Sequence, residues 1–303
     1  MVELKAKVIL FGASRAGESF IEYAKKANEY EILAIADNDI TKQNTFFYGY
    51  PVIAPAQISE FEYDFIIITS AFALQIQDQL ITELKVNKSK IKAAPKNISV
   101  PTKSYRAFED RNTINLARDV LLCIIDLFES EKIPYFIDHG TLLGIIRDGD
   151  IIPWDDDIDI SIYYEDMIKA IRCIEENISR LPMNEMLAWT LNVYYEENDI
   201  LNVIEITFDQ NNKMNIIKFS ISIKSIIFKN KFAIQKVTYA PEYHFKKSER
   251  INYRGRMVSV PFDYEKYLEF HYGDWTIPKK DCSILDIKNY RDPVYTIKKE
   301  DRR

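Results

Sequence analysis

The sequence predicts two successive domains, an α/β domain on a parallel sheet and then an α+β domain on a mixed sheet with helices. Three observations carry this. Short, wholly apolar runs (VILF at 8–11, FIII at 65–68) alternate with helical-period segments over the first hundred residues, as strands buried on both faces do. The stretch PKNISVPTKSY, 95–105, has two prolines and no periodicity, and reads as a linker. Beyond it, a long helical stripe leads into a series of short strands separated by polar turns. The expected division is 1–98 and 99–303, in keeping with roughly 100–200 residues per domain.

Composition narrows the function classes. Of 303 residues, 47% are apolar and 28% charged, enough for full cores in an ordinary soluble protein. The net charge of −6 argues against nonspecific nucleic-acid binding but not against a small anionic substrate carried by a metal. Cys123, Cys173 and Cys282 are odd in number and lack metal-type spacing; they read as reduced thiols of a cytoplasmic protein. VELKAK leads straight into VILFG, so no signal segment is expected. The longest apolar run, VLLCII, is far short of the ~18–20 residues needed to span a bilayer. Any membrane contact is therefore expected to be peripheral.

In the first domain, KAKVILFG is a strand, GASRAG a turn, ESFIEYAKKA a helix, and EILAIADND a second strand. This is a strand–turn–helix–strand unit of Rossmann type. Gly12 and Gly17 hold the outer glycine positions of the turn, while Ser14 replaces the middle one. Asp37 follows Gly17 at the spacing of a ribose-binding acid. GYPVIAP, YDFIIITSA and FALQIQDQLITELK supply a short strand, a central strand and an amphipathic helix. Two readings stay open: a nucleotide site at Gly12, Gly17 and Asp37, or a docking domain that has the fold without the ligand.

The second domain opens with a helix over Phe108–Ser130, whose apolar stripe (Ile114, Ala117, Val120, Leu121, Ile124, Ile125, Phe128) marks core. A strand then enters the stretch DHGTLLGIIRDGDIIPWDDDIDISI, 138–162, on which the domain is organised. Gly140-Thr141 forms a turn, and a short helix is expected over Leu142–Ile146, ending near Gly149. If Trp154–Ile162 is a strand, Asp155, Asp157, Asp159 and Ser161 share one face. Trp154, Asp156, Ile158, Ile160 and Ile162 share the buried one. Carboxylates that close repel unless a cation sits among them, and hard oxygen ligands suit Mg²⁺ or Mn²⁺ with substrate phosphates completing the shell. A solvated acidic turn would not alternate with isoleucines. A calcium loop would need glycine where Ile160 stands. Gly140, Thr141 and Arg147 are candidates for holding phosphate, through a helix start, a hydroxyl and a guanidinium fork; a turn glycine and an ion pair of Arg147 with Asp148 or Asp150 are the plainer alternatives. For His139 a packing or hydrogen-bonding role is favoured over proton transfer.

Downstream, EDMIKAIRCIEENISRL is a helix, and MLAWTLNVYY, ILNVIEITF, NIIKFSISI and FAIQKVTY are strands. Gly255 suits a turn between short strands. YEKYLEFHYGDW is a helix capped near Gly273, where Tyr264, Tyr267, Tyr272 and Trp275 either pack on the core or stack on a base or sugar. KKEDRR reads as a charged, mobile tail.

The run GTLLG–IIRDGD–IIPWDDDIDI, with VPFDYEKYLEFHYGDWTIP at 260–278, resembles the LicD-type phosphotransferases. These are relatives of fukutin-type sugar-phosphate transferases in the nucleotidyltransferase-fold superfamily. The resemblance covers about residues 105–280. It implies a nucleotidyltransferase-like mixed sheet and a metal site at Asp157 and Asp159 with a third carboxylate from a neighbouring strand: Glu205, with Asp209 as the alternative. Relatives often carry an Asp-Ile-Phe run where NIIKFSISI has serines. Asp155 would assist with metal or acceptor, and Glu205 would take a metal or the acceptor's proton. The implied reaction moves phosphocholine or a polyol phosphate from a CDP-linked donor to a sugar hydroxyl of a surface polysaccharide, lipopolysaccharide or teichoic acid. The competing readings are nucleotidyl transfer from an NTP, an NAD-dependent oxidoreductase acting through the first domain, and a non-catalytic assembly protein.

Overall fold

The computed structural model describes residues 5–95, 106–196, 199–209, 215–279, 285, 287–291 and 298–302. The chain divides into two compact units: Met1–Thr102 with Lys279–Pro293, and Lys103–Pro278 with Val294–Arg303. The proposed linker lies almost wholly outside the described residues, as does Cys282; Cys123 and Cys173 are free thiols. Among the described residues no helix is long and apolar enough to cross a membrane.

In the first unit, β1 (Ala6–Phe11), β2 (Tyr30–Ala36), β3 (Phe46–Phe47), β4 (Tyr50–Ile53), β5 (Phe65–Ile68) and β6 (Ile91–Ala93) form one sheet in the order β3-β4-β2-β1-β5-β6. All neighbours are parallel except β3 with β4. The apolar runs are explained by two-sided burial. Val8 and Leu10 pack with Phe20, Ile21 and Ala24 of α1 (Arg15–Ala27). Ile9 and Phe11 pack with Ala73, Ile76 and Leu80 of α2 (Ala73–Thr82). Leu285 joins this second layer, and the Tyr290 hydroxyl donates to the Ala71 carbonyl at 2.6 Å.

The β1–α1 turn is closed on itself. Ser14, the N-cap of α1, accepts from the Gly17 amide at 3.2 Å and donates to the Thr69 carbonyl at 2.6 Å. The Asp37 carboxylate accepts from the Ala13 and Asp39 amides at 2.8 and 2.9 Å and pairs with Lys42 at 3.3 Å. Gly12 has φ +119°, in the region glycine favours. A Cβ on Gly17 would stand 2.6 Å from the Gly12 carbonyl oxygen, so this glycine lets the helix approach the strand end.

The second unit begins with α3 (Arg111–Ser130), capped by Asp110, whose carboxylate accepts from the Thr113 amide at 2.8 Å. The expected helix start at Phe108 is a separate short turn, Ala107–Glu109, because Asp110 caps from an extended conformation. Then come β7 (Tyr135–Ile137), α4 (His139–Asp148), β8 (Asp157–Tyr163), α5 (Met167–Asn177), β9 (Trp189–Glu196), β10 (Ile200–Phe208), β11 (Ser220–Lys229), β12 (Phe232–Gln235) and β13 (Thr238–Pro241). The hairpin β14 (Ser248–Tyr253) and β15 (Arg256–Pro261), which turns at Gly255, and α6 (Tyr264–Tyr272) close it. The sheet is mixed, running β13-β12-β11-β10-β9, with β8 parallel to β11 and β7 antiparallel to β8. Ile158, Ile160, Ile221, Ile223, Ile204 and Ile206 lie side by side on one face and join Val120, Ile124 and Phe128 of α3 in the core.

Three expectations change. Asp138 caps α4, so Gly140 and Thr141 lie within its first turn rather than before it. β8 begins at Asp157, not Trp154, since Pro153 and Trp154 form a turn; Asp155 and Asp156 therefore precede the strand. The tail is not free: Lys298–Arg302 is β16, paired antiparallel with β9.

One carboxylate ties these elements together. Asp138 is fully buried. It accepts from the His139 amide at 2.7 Å, the Ser161 hydroxyl of β8 at 2.6 Å, the Gln235 amide of β12 and the Tyr267 hydroxyl of α6. Burial by itself would raise its pKa; His139, His271 and the hydroxyl donors outweigh that and hold it at about 2. All three histidines of the chain, His139, His244 and His271, are buried around Tyr267 and Asp138. Burial pushes each below the usual histidine range.

Two predictions follow from this packing. Gly17→Ala should destabilise the full chain by roughly 1–3 kcal/mol, the scale of an overpacked contact; an unchanged urea midpoint would show that the turn yields. The second concerns pH. A histidine whose folded pKa is depressed stabilises the fold above its unfolded value, near 6.5, and loses that contribution as pH falls below it. Each buried histidine should therefore cost about 1.4 kcal/mol per pH unit in that window. Asp138 acts with the same sign but lower, between an ordinary aspartate's 3.8 and about 2. Urea midpoints should drop between pH 7.5 and 5.5; a flat profile would contradict the burial of the three rings.

Candidate functional site

The site grows from the start of α4. Asp138 fixes the helix end, and the next residues reach across to β8. The Gly140 amide donates to Asp159 Oδ2 at 3.2 Å, and Thr141 Oγ1 accepts from the Asp159 amide at 2.9 Å. Thr141 is buried in this contact. Both residues thus seat Asp159, whose side chain is taken at its other oxygen by the Lys224 ammonium, 2.5 Å from Oδ1.

Gly140 is hemmed in by carboxylates. A Cβ there would stand 2.4 Å from Asp155 Oδ2 and 3.7 Å from Asp159 Oδ2. The absence of a side chain lets Asp155 lie against the helix N-terminus, where backbone amides and the helix dipole favour negative charge. Asp155 sits in the turn before β8, its amide bonded to the Ile152 carbonyl at 3.1 Å, and its Oδ1 accepts from the Asp156 amide at 3.1 Å. Asp155, Asp156 and Asp157 bring one carboxylate oxygen each to within 4.8 Å of one another. Such a group could hold one divalent cation, with water or substrate oxygens completing its shell.

The strand register places the remaining candidates. Asp159 of β8 lies beside Ser222 of β11, Ser222 beside Glu205 of β10, and Glu205 beside Asn192 of β9. Glu205 therefore faces the same side as Asp159 but two strands away, roughly 10 Å in Cα spacing. It accepts from the Tyr194 hydroxyl at 2.8 Å and from Asn192 Nδ2 at 3.3 Å. Among the described residues it is not part of the carboxylate group around Asp157. Asp209 is exposed just beyond the end of β10. The strand between holds Ser220 and Ser222 opposite Asp157 and Asp159. Arg147 lies in the last turn of α4, roughly 9 Å along the axis from Thr141. Its fork grips Asp148 at 2.8 and 2.6 Å, and its guanidinium lies 5.7 Å from the Trp154 ring centre. Tyr267 is buried in the core, and Tyr264, Tyr272 and Trp275 pack against it.

Asp156 and Lys224 were not reached by sequence reasoning. Pro153 carried the signal for Asp156, because proline marks a strand start or turn rather than a strand interior. The period-2 run FSISIK, 219–224, carried the signal for Lys224, placing it on the face of Ser220 and Ser222. Lys224 stays charged: burial lowers its pKa, but Asp159 and Asp157 outweigh this and raise it.

Residues 132–263 match the family model described as LicD/FKTN/FKRP, nucleotidyltransferase domain, and residues 4–92 match the C2185-like N-terminal model. Ribitol 5-phosphate transferase FKRP of Mus musculus is 24% identical over 163 residues, 53% of this chain and 32% of the mouse protein. The chain thus spans about a third of that relative's length. Lipopolysaccharide cholinephosphotransferase LicD of Haemophilus influenzae is 41% identical over 59 residues, 18% of this chain and 22% of that protein. The solved structure of the antibiotic-resistance factor ANT(2'')-Ia is 14% identical, covering 56% of this chain and 79% of that one; its TM-score of 0.31 is too low to carry an argument. The mixed-sheet unit, which holds the Gly140–Asp159 site, is thus the part of the chain that is similar to the LicD/FKTN/FKRP nucleotidyltransferase domain.

Proposed function

We propose that this chain is a phosphotransferase that moves a substituted phosphate, phosphocholine or a polyol phosphate, from a CDP-linked donor to a sugar hydroxyl of a surface glycan. The observation that carries the reading is the Gly140 cradle, with Asp155, Asp156 and Asp157 converging beside a helix N-terminus. The names of the two curated relatives, a ribitol 5-phosphate transferase and a lipopolysaccharide cholinephosphotransferase, support the donor class.

Phosphoryl transfer needs positioning and charge neutralisation more than covalent chemistry by the protein. A Mg²⁺ or Mn²⁺ ion, when bound, would neutralise charge on the donor diphosphate. Asp155, Asp156 and Asp157 would hold it. Asp159, seated by Gly140, Thr141 and Lys224, keeps the end of β8 aligned with the helix start. In the step, the acceptor oxygen bonds to the phosphorus of the transferred group. The bond from that phosphorus to the oxygen bridging it to CMP breaks, and CMP leaves with the electron pair. The hydroxyl proton goes to a carboxylate. Glu205, on the same face and across Ser222, takes this role on the acceptor side. Arg147, committed to Asp148, stiffens the helix end beside Trp154 instead of gripping the donor.

For the first unit we favour a structural or docking role. A nucleotide phosphate at the β1–α1 turn would need amide donors, and Asp37 and Ser14 already take those of Ala13 and Gly17.

Purified protein should release CMP from CDP-ribitol or CDP-choline with a glycan acceptor, and only with Mg²⁺ or Mn²⁺ present. Turnover of CTP alone to pyrophosphate, or reduction of NAD⁺, would refute the reading. Asp157→Asn should cut donor turnover by roughly 100-fold or more, with an unchanged melting temperature. Gly140→Ala should push Asp155 aside at little cost to the fold, since the clash is with a side-chain end. Calorimetry should then show weaker Mg²⁺ binding; unaltered affinity would remove Asp155 from the ligand set.

A further inference from the structure

We propose that the tip of the β11–β12 hairpin is a docking surface for anionic lipid, which it enters end-on. The tip reads Phe228-Lys229-Asn230-Lys231-Phe232, and all five residues are exposed. Phe228 and Phe232 show 42% and 39% of their surface to solvent, although both are phenylalanines. Among the described residues neither Lys229 nor Lys231 makes a hydrogen bond or an ion pair. The chain as a whole carries −6, so this positive tip runs against its overall charge. The surface stands whether or not the phosphotransfer reading holds.

The strand register favours a lipid surface over a protein partner. Lys229 pairs with Phe232, and Phe228 with Ala233. Side chains directly opposite share a face, while neighbours along a strand point to opposite faces. Phe232 therefore lies on one face of the hairpin with Lys229, and Phe228 on the other. Each ring is anchored on its own side: Phe232 against Tyr239, 5.4 Å between ring centres, and Phe228 against Tyr163, 6.0 Å. A flat partner would cover one face and leave the other phenyl ring in water. A lipid interface surrounds the tip, takes up both rings and leaves the ammonium groups at headgroup level. Two ammonium groups with no acid against them then fit headgroups of net negative charge.

The turn points the same way. Asn230 and Lys231 have φ +52° and +67°, the conformation of a two-residue hairpin turn whose second place favours glycine. Lys231 thus holds a strained backbone position and presents its ammonium from it. The Glu242 amide donates to the Lys231 carbonyl at 3.0 Å, which sets the exposed Tyr243 beside the tip. The Glu242 carboxylate is neutralised by Lys246 at 2.7 Å. Glu165 and Asp166, which act on Tyr163, mark the edge of the basic surface. The tip lies at the far end of β11 from the carboxylates: roughly 23 Å of strand separate Ser222 from Lys229. It can dock without covering the acidic start of β8.

The test is sedimentation of the full chain with vesicles of phosphatidylcholine, alone or mixed equally with phosphatidylglycerol. The chain should pellet with the mixed vesicles, stay in solution with phosphatidylcholine alone, and be released by salt. Lys229→Gln combined with Lys231→Gln should weaken the partition roughly 30-fold, the equivalent of about 1 kcal/mol per lysine at an anionic surface. Lys231→Gly separates the surface from the fold: it should raise the melting temperature by relieving the turn and still weaken vesicle binding. Phe232→Gln should weaken binding in a chain that melts normally. No binding to the mixed vesicles, equal binding to both kinds, or full binding by the folded double-lysine variant would overturn the proposal. So would a native dimer that Phe232→Gln converts to monomer, since a second copy would then cover the tip. None of these results touches the phosphotransfer reading.

Discussion

The buried carboxylate of Asp138 is the constraint on which the site depends. A charge removed from water is tolerated only when donors surround it, and losing one partner costs more than the bond itself. Here the donors come from four places: the start of α4, β8, β12 and α6. The ion therefore acts as a jig. It sets the helix start against β8, and that setting brings the Gly140 amide to Asp159 and leaves room for Asp155. The geometry at the surface follows from a charge that never reaches it.

The same demand for satisfied donors separates the two units. Both place a helix N-terminus at the end of a strand. In the first, Ser14 and Asp37 bond the turn amides from within. In the second, Asp138 bonds the first amide, the Gly140 amide meets Asp159, and Asp155 lies beside Gly140. One turn is complete without a ligand; at the other, Asp155 lies against the helix start and Asp155, Asp156 and Asp157 bring their carboxylate oxygens together, and this difference is the argument for placing the chemistry in the second unit.

Much of this was legible in the chain. Two-sided burial wrote the first sheet directly as VILF and FIII, and the isoleucines alternating after Asp157 fixed the face of β8. What escaped notice was non-local or unmarked by hydrophobicity. Pro153 delays β8, which turns Asp156 from an assumed core position into a neighbour of Asp155 and Asp157. β16, KKEDR, has no apolar alternation because an edge strand can be held through its backbone alone. The role of Asp138 depends on Gln235 and Tyr267, about a hundred residues and more away, and no local pattern announces such partners. The serines of NIIKFSISI were visible as a departure, but only the register showed that they face Asp157 and Asp159 and that a lysine follows them on the same face.

The return of the chain to its first unit has a consequence for how the protein is made. Leu285 and Tyr290 pack with strands and helices completed by residue 95. At a synthesis rate of about 5–20 residues per second, those last pieces reach the first unit roughly ten to forty seconds after its sheet has emerged. During that interval the α2 side of the sheet lacks Leu285, and residues 103–278 of the second unit are made between the two segments of the first. The first unit is thus completed by a segment that is synthesised after most of the second.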